Sequence, residues 1–241
     1  MHHGIGHLYV AFGKEYDKQA AWSAVAARRF SDLPICVLTN LEKRDSKWEE
    51  VSDVTFKMFA CADTDNRDIK TSMHKHSPFN ETLYTDTDTA IQSTKFIEAF
   101  DALAFCDIAF PLHGIWEEGK QVTRLYRMAM DMFKVTKPLL VYQGGVCVFR
   151  KKVTTNNLFA LWNEYWDRFG RGREMMCLAC AAKNVKGVAI GMLSKEYGFP
   201  DSTIIQHFYG ANAPKTELLP KITKNKEFDK KYGRGRWDMV D

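Results

Sequence analysis

The 241-residue sequence lacks the features that mark several large classes of protein. It has no apolar run close to the roughly 18–20 residues that a membrane-spanning helix needs. No basic region precedes the apolar part of MHHGIGHLYVAFG, so we expect no signal peptide. No internal repeat and no low-complexity linker divides the chain. These absences favour one globular domain without a transmembrane segment, and we expect it to be cytoplasmic.

Cysteine is scarce and shows no pairing pattern. The six cysteines are scattered, and four of them lie in or beside apolar runs: Cys36, Cys61, Cys106 and Cys147. Such residues are typical of a reducing compartment rather than of a disulfide framework. The other two form the motif CLAC (177–180), which has no second pair to complete four zinc ligands. Its setting, MMCLACAA, predicts a buried helix face rather than a metal or redox centre.

Neither sign of charge is in large excess. The chain has 34 Lys and Arg residues against 30 Asp and Glu residues, and its formal net charge is +4. This balance gives little support to nucleic-acid binding, and no basic helix or RNA-binding motif is present. The surplus of positive charge falls in the tail, residues 214–241, which we expect to be solvated. We therefore predict no nucleic-acid partner.

Strand and helix patterns alternate through the first half of the chain, and the second half is more mixed. We predict strands at 7–12, 34–39, 54–60, 82–86, 107–113, 139–151 (two pieces) and 202–210, and helices at 16–30, 93–103, 121–133, 156–169 and 173–184. This order indicates a single α/β domain with a mostly parallel sheet. Ligands bind such sheets at the carboxyl ends of the strands, where Phe12-Gly13, Thr39-Asn40 and Asp86 fall.

Two aspartates stand at the end of the fourth strand candidate, TLYTD (82–86). Asp86 and Asp88 are one residue apart, and in an extended chain residues i and i+2 point the same way. Their carboxylates therefore converge and repel each other unless a cation lies between them. Mg²⁺ and Mn²⁺ take such oxygen ligands and bridge them to phosphate oxygens. One interpretation of the pair is a metal clamp for a diphosphate.

Two other interpretations of the pair are open. The motif is short, and a second copy at 63–65 lies in the polar segment ADTDNRDIK, which we interpret as a surface loop. DTDT (86–89) also matches the nucleophile motif of haloacid-dehalogenase-type phosphatases, in which Asp86 would attack phosphorus. That chemistry needs a later acidic pair for magnesium, and neither Gly-Asp nor Asp-Asp occurs in the sequence. The metal clamp is therefore the favoured hypothesis.

The segment HKHSPFNETLYTDTDTAI (74–91) resembles the K...PF..TLYLDxDT pattern of small GT-A-type glycosyltransferases, the nucleotide-diphospho-sugar transferases found in bacteria and large DNA viruses. Three further stretches are similar to this family in the same order: LYVAFGKEYDKQAAWSAVAARRF (8–30), YQGGVCVFRK (142–151) and IIQHFYG (204–210). The likeness spans residues 7 to 210 and departs from the pattern at Thr85, where the family usually has Leu. It implies a GT-A-type fold, with a Rossmann-like, mostly parallel sheet flanked by helices.

The resemblance also implies roles for the matching residues. Asp86 and Asp88 would bind Mn²⁺ or Mg²⁺, one directly and one through water or the ribose, with Thr87 between them as a further cofactor-binding residue. His207 would complete the coordination, although a histidine in an apolar strand is more often a hydrogen-bonded core residue. The residues expected to bind the donor are Ala11, Phe12, Gly13 and Tyr16 around the nucleotide base, Lys75 at the diphosphate, and Gln143, Gly144 and Gly145 beside the reacting sugar. Lys75 also fits the description of an ordinary surface lysine.

Glu174 is the candidate catalytic base, because its segment, GRGREMMCLACAA, occupies the place of the D/E-x-x-A-L segment of related enzymes. An inverting transferase needs such a carboxylate to deprotonate the acceptor hydroxyl, whereas a retaining one does not. A glutamate at a helix N-terminus is also a favourable structural charge. Arg171, Arg173 and GRGRW (233–237) would close over the diphosphate or dock an acidic acceptor.

We therefore predict a metal-dependent glycosyltransferase of the hexosyltransferase type. Its nucleotide-binding part would cover about residues 1–113 and its acceptor-side part about 114–213, followed by the basic tail 214–241. A UDP-sugar is the expected donor, and the acceptor, whether glycan, glycoprotein or lipid-linked, is not specified. The alternative is a non-catalytic sugar-nucleotide or glycan-binding module of the same fold. A phosphatase that uses Asp86 is the more distant alternative.

Overall fold

The computed structural model describes residues 3–63, 66–117, 123–171 and 173–208. The predicted tail, with GRGRW (233–237), lies outside the described residues. The strands are β1 (His3–Val10), β2 (Ile35–Thr39), β3 (Val54–Met58), β4 (Phe79–Thr85), β5 (Thr89–Ile91), β6 (Ile108–Trp116), β7 (Leu139–Tyr142), β8 (Val146–Arg150), β9 (Ile190–Leu193), β10 (Tyr197–Phe199) and β11 (Ile205–His207). The α-helices are α1 (Lys14–Arg28), α2 (Asn66–Ser72), α3 (Arg124–Phe133), α4 (Val153–Arg168) and α5 (Glu174–Asn184). 3-10 helices cover Ser46–Glu50, Met73–Lys75 and Thr94–Ala104.

The central sheet has eight strands within the described ranges, in the order β3-β2-β1-β4-β8-β6-β7, with β9 beside β6. β1 is parallel to β2 and β4, and β2 is parallel to β3. β8 is antiparallel to both β4 and β6, so β6 runs in the same direction as β4. The mixed α/β architecture with a mostly parallel sheet is therefore confirmed. The carboxyl ends of β1, β2, β3, β4 and β6 share one edge of the sheet, which we call the carboxyl edge.

The burial pattern explains why these elements form. All five residues of β2, ICVLT, are buried, as expected for a parallel strand that is covered on both faces. Along α4, Leu158 and Trp162 are fully buried and Tyr165 nearly so, which confirms the helical spacing of apolar residues in the sequence. Complete burial of a side chain such as Leu158 contributes about 1.5–3 kcal/mol. No helix in the described part of the chain is long and apolar enough to cross a bilayer.

All six cysteines are free thiols. Cys177 and Cys180 lie on the buried face of α5, and burial raises the pKa of both thiols to about 12. Both thiols therefore stay protonated at neutral pH. The motif CLAC is a helix face in the core, as its setting predicted.

A smaller sheet in the described residues has the order β10-β11-β5. β5 begins directly after the aspartate turn, and β11 pairs with it in antiparallel fashion, so that His207 lies opposite Thr89. This pairing returns the chain to the carboxyl edge more than a hundred residues after β4 has left it. We predicted a strand over 202–210, of which Ile205–His207 is extended and paired. β5 was not predicted, because three residues are too few to show a period.

The largest difference from the sequence prediction is in the polar segment ADTDNRDIK. We interpreted it as a surface loop, but Asn66–Ser72 forms α2. Two hydrogen bonds between polar side chains join α2 to α4: Trp166 Nε1 donates to Asp68 Oδ1 at 2.7 Å, and Asn163 Nδ2 donates to Thr71 Oγ1 at 2.7 Å. Apolar periodicity cannot reveal a helix that is held in this way. The helix predicted at 93–103 is a 3-10 helix.

Candidate active site

Three potential metal ligands meet at the carboxyl edge of the sheet. Asp86 directly follows β4, Asp88 directly precedes β5, and His207 is brought to them by the pairing of β11 with β5. Their ligand atoms all lie within 4.8 Å of one another. His207 Nε2 is 3.0 Å from Asp88 Oδ1 and 3.8 Å from Asp86 Oδ2. We call these three residues the Asp86 cluster, and the structure brings them together as the resemblance implied.

Backbone hydrogen bonds fix the turn that carries the cluster. Asp86 N donates to Gly145 O at 2.7 Å, and Phe208 N donates to Asp88 O at 2.9 Å. Thr89 Oγ1 donates to Asp86 O at 2.8 Å. The Thr87 hydroxyl donates instead to Gln19 Oε1 of α1, so its side chain braces the turn and does not face the cluster.

Gly145 allows the closest approach to the cluster. A Cβ atom at this position would lie 2.3 Å from His207 Cε1 and 2.7 Å from Asp86 Oδ2, so no other residue fits without displacing both. A Cβ at Gly144 would meet only ordinary contacts, the nearest at 3.5 Å from Leu178. The Gly-Gly pair therefore has one member that the cluster requires and one that it does not.

Gln143 orients His207. The buried Gln143 amide donates to His207 Nδ1, and its oxygen accepts from the backbone N–H groups of Gly145 and Val146. With Nδ1 accepting, the hydrogen of the imidazole is on Nε2 and faces Asp88. Burial lowers the pKa of His207, but the carboxylates of Asp88 and Asp86 more than offset this and the pKa is raised. In the free protein the Nε2–H group of His207 thus points its partial positive charge at the Asp88 carboxylate.

The chemistry of the donor set fits Mn²⁺ or Mg²⁺. Two carboxylates and one imidazole offer oxygen and nitrogen ligands from one side, and this leaves coordination positions for phosphate oxygens. A divalent ion at this point would replace the imidazole hydrogen between His207 and Asp88. Gln143 holds the ring of His207 from its far side, which keeps Nε2 turned towards the carboxylates.

Lys70 also contacts the Asp86 cluster, although no feature of the sequence pointed to it. It projects from α2 and is 5% exposed. Its ammonium lies 2.8 Å from Asp86 Oδ1 and 3.5 Å from Glu174 Oε1. Burial lowers the pKa of Lys70, but the two carboxylates outweigh it and the pKa is raised. The sequence carried little signal for it, since Lys70 is one of several charges in a polar segment.

Glu174 lies beside the cluster as the resemblance implied, at the first position of α5. Besides Lys70, Arg67 Nε approaches it at 3.9 Å. Burial raises the pKa of Glu174, but Lys70 and Arg67 reverse the effect and the pKa is lowered, so Glu174 is a carboxylate. Tyr84 OH donates to Asp86 Oδ1 at 2.5 Å, and burial with the Asp86 charge holds the pKa of Tyr84 well above its usual value.

A separate set of polar residues lies at the carboxyl ends of β1 and β2, where we expected the nucleotide base to bind. Gly13 has φ of 82°, and its N–H donates to Asn40 Oδ1 at 2.9 Å. The N–H of Phe12 donates to Asn66 Oδ1 at 3.1 Å, and Asn40 Nδ2 donates to Asp63 Oδ1 at 2.7 Å. The side chains of Ala11 and Phe12 are fully buried, so these residues offer backbone and not side chains to a ligand. Tyr16 is 42% exposed on the first turn of α1.

Three other predicted residues are not members of the Asp86 cluster. Lys75 is exposed in the 3-10 turn before β4, at the end of that strand opposite to Asp86. Arg171 pairs with Asp68 at 3.0 Å and with Asp167 at 3.3 Å. Arg173 is the residue before the first turn of α5. Of the two lysines, Lys70 and not Lys75 contacts the Asp86 cluster.

Comparison with known proteins identifies the fold. No protein-family model matches the chain, and no curated protein matches it in sequence. Solved structures do match. The galactosyltransferase LgtC, in complex with donor and acceptor sugar analogues, matches with a TM-score of 0.58 and 11% identity over 93% of this chain and 99% of that chain. Mouse xyloside xylosyltransferase 1 matches with a TM-score of 0.59 and 14% identity over 88% of this chain and 99% of that chain.

The bifunctional glycosyltransferase WbbM also matches, with a TM-score of 0.57 and 12% identity. The match covers 82% of this chain and 40% of the WbbM chain. At identities of this size the likeness is one of fold. The chain therefore has the GT-A fold, and the resemblance found in its sequence is confirmed at that level.

Proposed function

We propose that the chain is a metal-dependent glycosyltransferase, which transfers a sugar from a nucleoside-diphosphate sugar to an acceptor hydroxyl. A UDP-sugar is the proposed donor. The observation that carries the proposal is the Asp86 cluster, whose three ligand atoms converge within 4.8 Å at the carboxyl edge of a GT-A sheet. The fold does not suit the phosphatase alternative, whose nucleophile motif would stand on the first strand and not after β4.

In this proposal Asp86, Asp88 and His207 hold the ion. A divalent ion there supplies positive charge that offsets the charge growing on the departing nucleoside diphosphate. Gln143 keeps the His207 ring in position, and Gly145 leaves room above it. The nucleotide base would lie at the carboxyl ends of β1 and β2, where the side chains of Asn40 and Asn66 accept hydrogen bonds from the N–H groups of Gly13 and Phe12.

Lys70 takes the role that the sequence assigned to Lys75. Its ammonium bridges Asp86 and Glu174 in the free protein. In this proposal, the ammonium turns to the diphosphate of the donor once an ion binds Asp86. A buried, fully charged amine beside a diphosphate binds it as a point charge and favours its departure. We assign donor binding and leaving-group stabilisation to Lys70.

Glu174 is proposed as the residue that receives the acceptor proton if the reaction inverts the sugar. Its lowered pKa makes it a weak base while Lys70 is in contact with it. Movement of Lys70 towards the donor removes that contact and raises the basicity of Glu174. Its proposed role as a base therefore depends on the proposed role of Lys70.

Donor turnover tests the proposal. The protein is incubated with Mn²⁺ and UDP-glucose, UDP-galactose, UDP-xylose or UDP-N-acetylglucosamine, and released UDP is measured with and without simple sugars as acceptors. We expect metal-dependent release with one donor, which is lost in Asp86→Asn and kept in the exposed control Asp201→Asn. Metal-dependent UDP binding with no turnover for any donor would instead support the binding-module alternative.

A further inference from the structure

The first helix of the chain contacts the turn between β4 and β5 at two points. The hydroxyl group of Thr87 donates to Gln19 Oε1 at 3.0 Å. The hydroxyl oxygens of Ser23 and Thr89 are 3.4 Å apart. Gln19 and Ser23 both belong to α1, and the two threonines flank Asp88. α1 therefore holds the chain immediately before and immediately after one of the three potential metal ligands.

The spacing of the two contacts is the same on the helix and on the turn. Gln19 and Ser23 are four residues apart, so they share one face of α1 and lie about 6 Å apart along its axis. Thr87 and Thr89 are two residues apart, a distance that a chain spans in at most about 7 Å. Both contacts can therefore form at once without distortion of the helix or of the turn.

The buried hydroxyl groups form a chain of hydrogen bonds with a fixed direction. Thr89 donates its one hydroxyl hydrogen to Asp86 O at 2.8 Å, so it can only accept from Ser23. Ser23 thus gives its hydrogen to Thr89 and accepts another from Tyr9, whose hydroxyl oxygen is 3.0 Å away. Tyr9, Ser23 and Thr89 are fully buried, so water does not compete for these bonds.

This chain ends on the backbone that carries the metal ligands. Thr89 bonds the carbonyl group of Asp86, and in the pairing of β5 with β11 it lies opposite His207. Asp88 stands directly before Thr89, and its own carbonyl oxygen accepts from Phe208 N at 2.9 Å. The relative positions of the three ligands therefore depend on where Thr89 is held.

We propose that Gln19 and Ser23 are positioning residues, which fix Asp88 by holding the threonine on either side of it. They act through the two threonines and are not ligands themselves. This role rests on the proposed function, because it concerns the ion that the Asp86 cluster would hold. α1 begins directly after Gly13, at the proposed position of the nucleotide base. One helix would therefore set the distance between the base and the ion.

Two variants and a matched control test the proposal. Ser23→Ala and Gln19→Met remove the two contacts and change the side-chain volume little. The control is Ser77→Ala: Ser77 is 2% exposed, precedes β4, and has its hydroxyl oxygen 2.7 Å from that of Thr82. Calorimetry measures the affinity for Mn²⁺, and NMR of the ¹⁵N-labelled, metal-free protein follows the Nε2–H signal of His207. Urea unfolding measures the stability of each variant.

We expect Ser23→Ala and Gln19→Met each to weaken Mn²⁺ binding roughly fivefold, which is less than the loss of about 10- to 100-fold for partners that touch a ligand directly. Both variants should shift the Nε2–H signal of His207, because Asp88 Oδ1, its acceptor, lies 3.0 Å from Nε2. Ser77→Ala should lose comparable stability and change neither the affinity nor the signal.

Equal changes in Ser23→Ala and Ser77→Ala would show a general effect of lost stability and would overturn the positioning role. An unchanged His207 signal in both α1 variants, or an unchanged affinity where the wild type binds Mn²⁺, would overturn it as well. If the wild type does not bind Mn²⁺, the proposed function fails, and the His207 signal alone decides the positioning role.

Discussion

At the scale of single residues, the site is a balance of buried charges. Two aspartates and Glu174 are held together by the ammonium of Lys70 and the Nε2–H group of His207, so each carboxylate has a cation or an N–H group beside it in the absence of metal. In the free protein, the repulsion between Asp86 and Asp88 is therefore offset by the charge of Lys70 and by the N–H group of His207.

Replacement of Lys70 by Met should destabilise the protein and strengthen metal binding. The change removes the cation shared by Asp86 and Glu174, which costs roughly 3 kcal/mol for a largely buried pair. It also removes a competitor of the metal for Asp86, so Mn²⁺ should stabilise the variant more than the wild type. Urea unfolding with and without Mn²⁺ measures both effects.

Lys75→Met is the matched control for this change, since Lys75 is exposed. Its free energy of unfolding should stay within about 0.5 kcal/mol of the wild type, with the same response to Mn²⁺. If Lys75→Met rather than Lys70→Met alters the response to Mn²⁺, the assignment of Lys70 to the site is wrong.

Gly145→Ala should abolish metal binding while Gly144→Ala should leave it nearly unchanged. The added methyl group at 145 would overlap His207 and Asp86, whereas at 144 it meets only ordinary contacts. We expect Gly145→Ala to cost about 1–3 kcal/mol of stability, the usual cost of overpacking. Mn²⁺ titration of the two variants gives the answer, and equal affinities would show that the Gly145 contact is not part of the site.

At the scale of elements, the pairing of β1 with β4 contains a buried histidine. His7 Nε2 is hydrogen-bonded to Thr85 Oγ1 at 2.8 Å, and burial lowers the pKa of His7 to about 3. In the unfolded chain His7 is protonated below about pH 6.5, whereas in the folded chain it stays neutral down to about pH 3. Stability contributed by this group is therefore present above pH 6.5 and is lost as the pH falls below it.

His7→Gln should make the acid sensitivity of the fold shallower. One such group changes the free energy of unfolding by about 1.4 kcal/mol per pH unit within its window. Urea unfolding is measured at intervals from pH 7.5 to pH 4. For each pH unit below about 6.5, the free energy of unfolding of the variant should fall by about 1.4 kcal/mol less than that of the wild type. The difference at pH 7.5 gives the baseline cost of the substitution. Parallel pH curves for the two proteins would contradict the role given to His7.

The elements that the sequence predicted are those with a strong period or a continuous apolar run. β2 and α4 belong to this group, and so does the placement of Asp86 at the end of a strand. α2 was not predicted, because the side chains that join it to α4 by hydrogen bonds are polar. Lys70 was missed for the same reason. His207 was found only through the resemblance, since the period of a three-residue strand carries no information about its partner β5.

At the scale of the whole molecule, the carboxyl end of β4 carries the carboxylates that suit a divalent cation. The GT-A fold explains this position by its topology, because the carboxyl ends of five strands meet there. The division into parts at about residue 113 stays a prediction.

The central claim is that the Asp86 cluster holds a divalent ion that binds a nucleoside diphosphate. Calorimetric titration of UDP into the protein, with and without Mn²⁺, tests it most directly when the wild type is compared with Asp86→Asn/Asp88→Asn. The double variant Asp32→Asn/Asp201→Asn, which makes the same charge change at two exposed aspartates, is the control. We predict UDP binding that requires Mn²⁺, is lost in the first variant and is kept in the control. UDP binding that is independent of Mn²⁺, or equal in both variants, would contradict the account.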